Sequence, residues 1–374
     1  MTPRVLHLLS CDDWGGTEVQ VAMSVEHGDP DRCVHHVATL APPGVLTASL
    51  ATKGVSVASL SGRLGPIGGI VRLARLLRRW RIDVLQVYGF RAGLVARPAA
   101  LMGGRPALIV GIRGPHFVDA PVESTRARFA LFVERVLAPT VTRYVANSHG
   151  AVTLLRTRGF PAHKLTVIPN GIEFPEPTRR APPRQPPRII CVARFTPSKR
   201  HDVLLHALGQ LRDGGVDVSC TLVGDGDTLD ATRDLAATLD LIQRIRFTGR
   251  IEPHGVDSEL AVADLFVLAS EREGMPGSVL EAMAAGLPVV ATDVEGTREV
   301  VEHEVSGLLV PPGDATALAD AIGRLVRNPT LMRTIGAEGR RIVEARFAVD
   351  RLAAAQADLY AELVDARRRR RKSA

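Results

Sequence analysis

The stretch from Asp264 to Thr292 constrains this chain more than any other. Asp264-Leu-Phe-Val-Leu-Ala269 is an apolar run without polar alternation, the pattern of a strand buried on both faces of a parallel sheet. A loop containing Gly274, Pro276 and Gly277 comes next. The pattern then predicts a helix that starts at Ser278 and stops at Gly286, with Pro288 forbidding its continuation. Val289-Val290-Ala291 is predicted as the following strand. In an open α/β sheet a loop of this kind lies in the crevice outside the carboxyl ends of the strands, where ligands bind. It carries Glu273, and the first helical turn carries Glu281. Spacing alone leaves two readings of these acids. Ser278-x-x-Glu281 is the form of a capping box, with Glu273 a solvated loop acid. Alternatively, the loop amides at a helix N-terminus attract a phosphate, and the acids hold the hydroxyls of an attached sugar and ribose.

The same alternation extends over the rest of the chain. Strands are predicted at Val5–Leu9, Val34–Leu40, Val55–Leu60, Asp83–Tyr88, Ala107–Ile112, Arg143–Asn147 and Leu165–Ile168, with helices between several of them. Gly15-Gly16-Thr17-Glu18 reads as a tight turn opening a helix, either a plain βα turn capped by Thr17 or a place where backbone approaches a ligand. Ile67–Arg81 is a helix with Ile70, Leu73, Leu76 and Leu77 on one face and five arginines elsewhere. A solvated basic face packed on a sheet is the commoner outcome for such a helix, and an anionic membrane is the alternative. Glu173–Pro187 contains six prolines and almost no apolar pattern, so it is a linker. The expected organisation is a first domain over 1–172, the linker over 173–187 and a second domain over 188–348. A last helix over 349–366 and a basic tail over 367–374 complete it.

The second domain restarts with a strand at Arg188–Val192, and Arg194 and Lys199 lie in the loop after it. Gly224-Asp-Gly226 begins like a dinucleotide fingerprint but lacks the third glycine, which speaks weakly for a nicotinamide cofactor. Four scattered cysteines form no CxxC pair and no Cys/His cluster, so no metal site is legible and a reducing cytoplasm is expected. No apolar run approaches the roughly 20 residues of a membrane span. Residues 1–170 hold 20 Lys and Arg against 10 Asp and Glu, a net of +10, whereas the whole chain carries +7. The basic half favours a phosphate-bearing substrate or an anionic lipid surface. An aromatic content of 4% offers few stacking platforms, which sets nucleic acid aside.

Glu273-Gly-Met-Pro-Gly-Ser-Val-Leu-Glu281-Ala-Met-Ala-Ala-Gly-Leu-Pro-Val-Val290 resembles the E-x7-E signature of glycosyltransferase family 4, also called glycosyl transferases group 1. The resemblance covers nearly the whole chain and is strongest over 188–313. It implies a GT-B fold, two doubly wound Rossmann-like domains facing across a cleft, and a retaining hexosyltransferase that needs no metal or other cofactor. The donor would be a UDP- or GDP-sugar. Arg194 and Lys199 would grip its diphosphate, Glu273 the sugar hydroxyls and Glu281 the ribose. The backbone of Gly274, Met275, Pro276, Gly277, Ser278 and Val279 would assist, with Ile251 lining the base pocket. The sequence departs from the family at Arg200, where a glycine usually follows the lysine.

In the first domain the resemblance puts Gly15 and Gly16 against donor phosphates or acceptor. Family members carry a histidine directly after the strand that ends at Ile112. Here Arg113 takes that place and His116 follows three residues later, so either could face the donor. The acceptor is open; a lipid-linked or polysaccharide precursor and a place on the inner face of the membrane suit the basic half. A GT-B epimerase or hydrolase, or a silent nucleotide-sugar-binding surface protein, are the competing functions.

Overall fold

The computed structural model describes residues 2–62, 65–113, 125–175 and 185–372. The chain divides into two compact units, Met1–Gly171 with Val349–Ala374, and Ile172–Ala348. The expected linker falls largely on residues 176–184, outside the described residues.

In the first unit the strands are β1 (Arg4–Leu9), β2 (Val34–Thr39), β3 (Ser56–Ser59), β4 (Val84–Tyr88), β5 (Ala107–Ile112), β6 (Arg143–Ala146) and β7 (Leu165–Val167). Between them run helices α1 (Gly16–Glu26), α2 (Val45–Thr52), α3 (Gly65–Arg79), α4 (Phe90–Met102), α5 (Thr125–Leu137) and α6 (His149–Thr157). The strand ends differ from the sequence prediction by at most one residue. All pairings are parallel, in the order β3-β2-β1-β4-β5-β6-β7. Side chains alternate across the sheet: Leu6 and Leu8 enter one apolar cluster with α3 and α4, while Val5 and Leu9 enter two others. Both faces are therefore covered, which explains the unbroken apolar runs.

The second unit has β8 (Arg188–Val192), β9 (Ser219–Val223), β10 (Ile245–Gly249), β11 (Leu265–Leu268), β12 (Val289–Thr292) and β13 (Leu308–Val310). Its helices are α7 (His201–Asp213), α8 (Leu229–Thr238), α9 (Pro253–Val262), α10 (Gly277–Ala284), α11 (Glu295–Arg298), α12 (Ala315–Val326) and α13 (Pro329–Phe347). The sheet is again parallel, in the order β10-β9-β8-β11-β12-β13.

The last helix, α14 (Val349–Lys372), belongs to the first unit. Leu352, Leu359, Tyr360 and Leu363 cover Val5, Val84, Ile109 and Val145. Tyr360 donates to Gln86 Oε1 at 2.5 Å, and Ser24 donates to Gln356. The helix continues beyond residue 366 through the arginine run, where Arg367 donates to the carbonyl of Gly104 at 2.6 Å. The first arginine of the run is thus anchored on loops of the first unit's sheet. Among the described residues no helix is long and apolar enough to cross a membrane.

Candidate active site

The second unit reverses direction between β8 and β11. From β8 the chain builds outward to β9 and β10, then returns to lay β11, β12 and β13 on the other side. β8 and β11 are paired, Ile189 with Leu265 and Ile190 with Phe266. Their carboxyl ends thus bring two loops side by side at a topological switch point, the position where open α/β sheets bind ligands.

Lys199 and Glu273, 74 residues apart, meet there. Lys199 Nζ lies 2.5 Å from Glu273 Oε1, and the Ser270 hydroxyl donates to the same oxygen at 2.6 Å. Glu273 is nearly enclosed, with 7% of its side chain exposed, while Lys199 keeps 24%. The loops are tied together by Glu271 N donating to the Ser198 carbonyl at 2.8 Å. Thr292, at the end of β12, donates its hydroxyl to the Ser270 carbonyl and fixes the start of the second loop. The site holds a cation, a carboxylate and a hydroxyl in one bonded row.

Arg194 occupies the first loop, exposed; its carbonyl accepts from Thr196 N at 2.9 Å, while its side chain makes no hydrogen bond or ion pair among the described residues. Its backbone is held from below. A Cβ on Gly224 would lie 2.1 Å from the Ala193 carbonyl oxygen, and one on Gly226 2.4 Å from that of Phe195. Both glycines have positive φ, +139° and +149°, and Phe195 N donates to the Asp225 carbonyl at 3.0 Å. The Gly224-Asp-Gly226 turn is thus a platform for the Arg194 loop, a backbone approach that only glycine allows. Phe195 in turn stacks on His201, ring centroids 4.1 Å apart. Arg200 stands in left-handed conformation, φ +50°, which accounts for a glycine being the easier residue there.

Helix α10 begins at Gly277, with Pro276 before it, and no side chain caps it. The capping-box reading of Ser278 and Glu281 is therefore corrected: proline has φ already suited to a helix entry, so the helix starts one residue earlier and Ser278 lies inside it. Val279 N is accepted by Pro276 O at 3.2 Å, and the Val279 side chain is fully buried. The amides of Gly277 and Ser278 have no acceptor among the described residues. Met275 and Pro276 are buried, and Gly274 backs onto α11: a Cβ on Gly296 would lie 2.3 Å from its carbonyl oxygen.

The Glu281 carboxylate has no hydrogen-bond partner among the described residues, although only part of the residue's surface reaches solvent. Burial, and then the neighbouring Asp257 carboxylate, raise its pKa to about 7. Ile251 follows β10, two strands along the same edge from β8, and packs beside Gly255.

The remaining predicted residues belong to the first unit. Its switch point lies between β1 and β4. Gly15 precedes α1 and Gly16 opens it. The Glu18 carboxylate of the helix's own first turn is close by, since a Cβ on Gly15 would lie 2.7 Å from Glu18 Oε2, and Cys11 Sγ donates to the other oxygen at 3.0 Å. This helix start already faces an anion, which suits a hydroxyl donor better than a phosphate. Arg113 follows β5 and donates from Nη1 to Asn170 Oδ1 at 2.9 Å, with its guanidinium carbon 5.9 Å from the Tyr88 ring centroid. His116 lies outside the described residues. Tyr88 OH is also 3.1 Å from His7 Nδ1, and His7 Nε2 is 2.9 Å from His35 Nδ1.

Sequence reasoning missed Ser270, Thr292 and Gly296. A serine ending a strand and a glycine opening a short helix carry no local signal of what lies opposite. Among the described residues no group of three His, Cys, Asp or Glu side chains is arranged to hold a metal.

Both halves of the chain are similar to known proteins. Residues 175–342 match the family model for glycosyl transferases group 1, and residues 15–171 match the glycosyl transferase 4-like domain. A GDP-mannose-dependent alpha-(1-6)-phosphatidylinositol monomannoside mannosyltransferase of Mycobacterium tuberculosis is 28% identical over 327 residues, covering 74% of this chain and 84% of that protein. An amylovoran biosynthesis glycosyltransferase of Erwinia amylovora is 36% identical over 198 residues, 50% of this chain and 48% of its own. Among solved structures, Anabaena HepE in complex with UDP and glucose superposes with a TM-score of 0.83 at 23% identity, over 96% of this chain and all of that one. The chain therefore belongs to the group 1 glycosyl transferases and has the GT-B fold.

Proposed function

We propose that this glycosyltransferase moves a hexosyl group from a UDP- or GDP-sugar to a hydroxyl acceptor, with retained anomeric configuration and without a metal ion. The observation that carries the proposal is the Lys199–Glu273–Ser270 row beside the unpaired Arg194 at the switch point. Breaking the bond from the anomeric carbon to the diphosphate oxygen leaves negative charge on the nucleotide. Fixed cations stabilise that charge more in the transition state than before it. Lys199 and Arg194 take this role, helped by the free amides of Gly277 and Ser278. Glu273 orients Lys199 and accepts hydroxyls of the sugar, while the unpartnered Glu281 accepts from the ribose. The acceptor oxygen attacks the face from which the diphosphate departs. The new bond forms as the old one breaks, and the acceptor's proton passes to the departing phosphate oxygen.

The Mycobacterium tuberculosis relative is named for GDP-mannose and the Anabaena neighbour was solved with UDP and glucose, so both bases are carried forward. The acceptor side of the proposal is a lipid-linked or polysaccharide precursor, presented at an anionic membrane surface. Thermal stabilisation by UDP, GDP and ADP, alone and as sugar conjugates, tests the donor, because a ligand of the folded state raises the midpoint by mass action. One base is expected to stand out and to lose its effect in Arg194→Ala. No shift with any nucleotide would overturn the donor site. The anomeric coupling of the product tests retention, and an inverted product or a trapped glycosyl-enzyme would overturn the same-face mechanism.

A further inference from the structure

Helices α4 and α5 of the first unit present an apolar ridge that no described residue of that unit covers. Twelve large apolar side chains are exposed among the described residues, and six of them lie here: Leu94, Leu101, Met102, Phe129, Phe132 and Val136. Leu101, Phe129 and Phe132 are each more than 60% exposed. On α5 residues 129, 132 and 136 share one side of the helix, and on α4 residues 94 and 101 are two turns apart. The helices are neighbours, joined by the buried ion pair of Arg97 with Glu134. The other six exposed apolar residues are scattered singly and need no explanation.

Charge says what covers the ridge. Residues 65–113 contain nine arginines and one acid, Asp83, which accepts from Arg4 N at 3.2 Å. Residues 125–170 contain seven Lys and Arg and one acid, Glu134, which is buried against Arg97. Glu134 is thus withdrawn from the surface, and Asp83 is only half-exposed. Among the described residues, Arg78, Arg79, Arg91 and Arg135 are exposed on α3, α4 and α5, so the described rim of the ridge is basic. A second copy of the chain would set two such rims against each other, and like charges at an interface oppose association.

We infer that the α4–α5 ridge is a membrane-docking surface that seats the first unit on an anionic phospholipid bilayer. Phe129, Phe132 and Leu101 enter the boundary between headgroups and acyl chains, while the arginines bind the headgroup phosphates. The inference deepens the proposed acceptor by naming the surface at which it is met, but its evidence is independent of the donor site.

The test is co-sedimentation of the full chain with vesicles of phosphatidylglycerol and phosphatidylcholine, and with phosphatidylcholine alone. Binding is expected to the anionic vesicles, reduced by salt, and weakened about tenfold or more by Phe129→Ser with Phe132→Ser. Arg91→Ser with Arg135→Ser should weaken it as well and lessen the salt effect. The melting midpoint and its shift by UDP or GDP should survive in both variants. Equal binding by parent and phenylalanine variant would overturn the inference, as would equal capture by neutral vesicles. A parent that ignores vesicles and is a dimer, with a monomeric phenylalanine variant, would assign the ridge to a second copy. Loss of the nucleotide shift in the parent with vesicle binding intact would strike the donor reading alone.

Discussion

Gly296 offers a direct way to move Glu273 without touching it. A Cβ at this position would stand 2.3 Å from the carbonyl oxygen of Gly274 and 2.5 Å from that of Glu273. Both neighbours are backbone, so no side chain can swing aside, and the 273–274 loop must shift by the better part of an ångström. Overpacking of this kind costs about 1–3 kcal/mol. At about 2–4 °C per kcal/mol for a domain of this size, the midpoint of Gly296→Ala should fall by about 2–12 °C. Turnover should suffer more. Glu273 holds Lys199 at 2.5 Å, and a displacement near 1 Å in such a row costs about a hundredfold in rate. Gly209, inside α7, is the control: a Cβ there meets nothing within 4 Å, and Gly209→Ala should stabilise by about 0.5–1 kcal/mol with unchanged turnover. Steady-state kinetics with the donor identified by thermal shift, on variants shown folded by near-UV circular dichroism, decides it. If Gly296→Ala turned over at the parent's rate, the claim that α11 positions the catalytic loop would be refuted.

Three other outcomes follow from the geometry. Lys199→Ala should lower kcat by about 10²–10³ with a smaller change in KM, because its charge is used mainly as the diphosphate departs; a change confined to KM would count against that role. Glu281, raised from 4.5 to about 7, penalises the ligand-free fold as pH rises through that range and fully above it. Glu281→Gln should therefore melt higher than the parent at pH 8, by an equivalent of about 1–3 kcal/mol, and no higher at pH 4, while losing nucleotide stabilisation; equal gains at both pH values would be inconsistent with it. His7 and His35 work in the acid direction. Burial lowers both below the ordinary 6.5, His35 to about 4, so the stability of the neutral pair is intact above pH 6.5 and is lost as pH falls towards 4. His35→Gln should flatten that loss, measured as the urea midpoint between pH 7 and 4, and an unchanged slope would remove the histidines as its source.

Much of the architecture was legible because a parallel sheet buried on both faces writes itself as short apolar runs, and β1, β5 and β11 show this plainly. The acids of the site were legible through a long motif. Their meeting with Lys199 was not, since it depends on β8 pairing with β11, and strand order is no property of either segment. Gly224, Gly226 and Gly296 look like turn or helix-start glycines until the carbonyls they abut are known. Ser278 and Glu281 have the spacing of a capping box, and only Pro276 setting the helix entry one residue earlier decides against that alternative. The arginine run after residue 366 reads as a basic tail, and the Arg367 contacts with the carbonyls of Gly104 and Asp83, far away in sequence, are not visible in it.

The membership of α14 in the first unit has a consequence for biosynthesis. The second unit is an insertion: its ends meet, with Ile172 N donating to Phe347 O at 2.8 Å, and it is complete once residue 348 is made. The first unit, although translated earlier, keeps Val5, Val84, Ile109 and Val145 without their cover until Leu352 to Leu363 emerge. All residues of the later-encoded unit are therefore available before those of the earlier one, whose sheet face lacks its α14 cover until the end of synthesis. A chain stopped at residue 348 would hold a complete second unit attached to a first unit with an uncovered apolar sheet face, the kind of exposed surface that promotes aggregation.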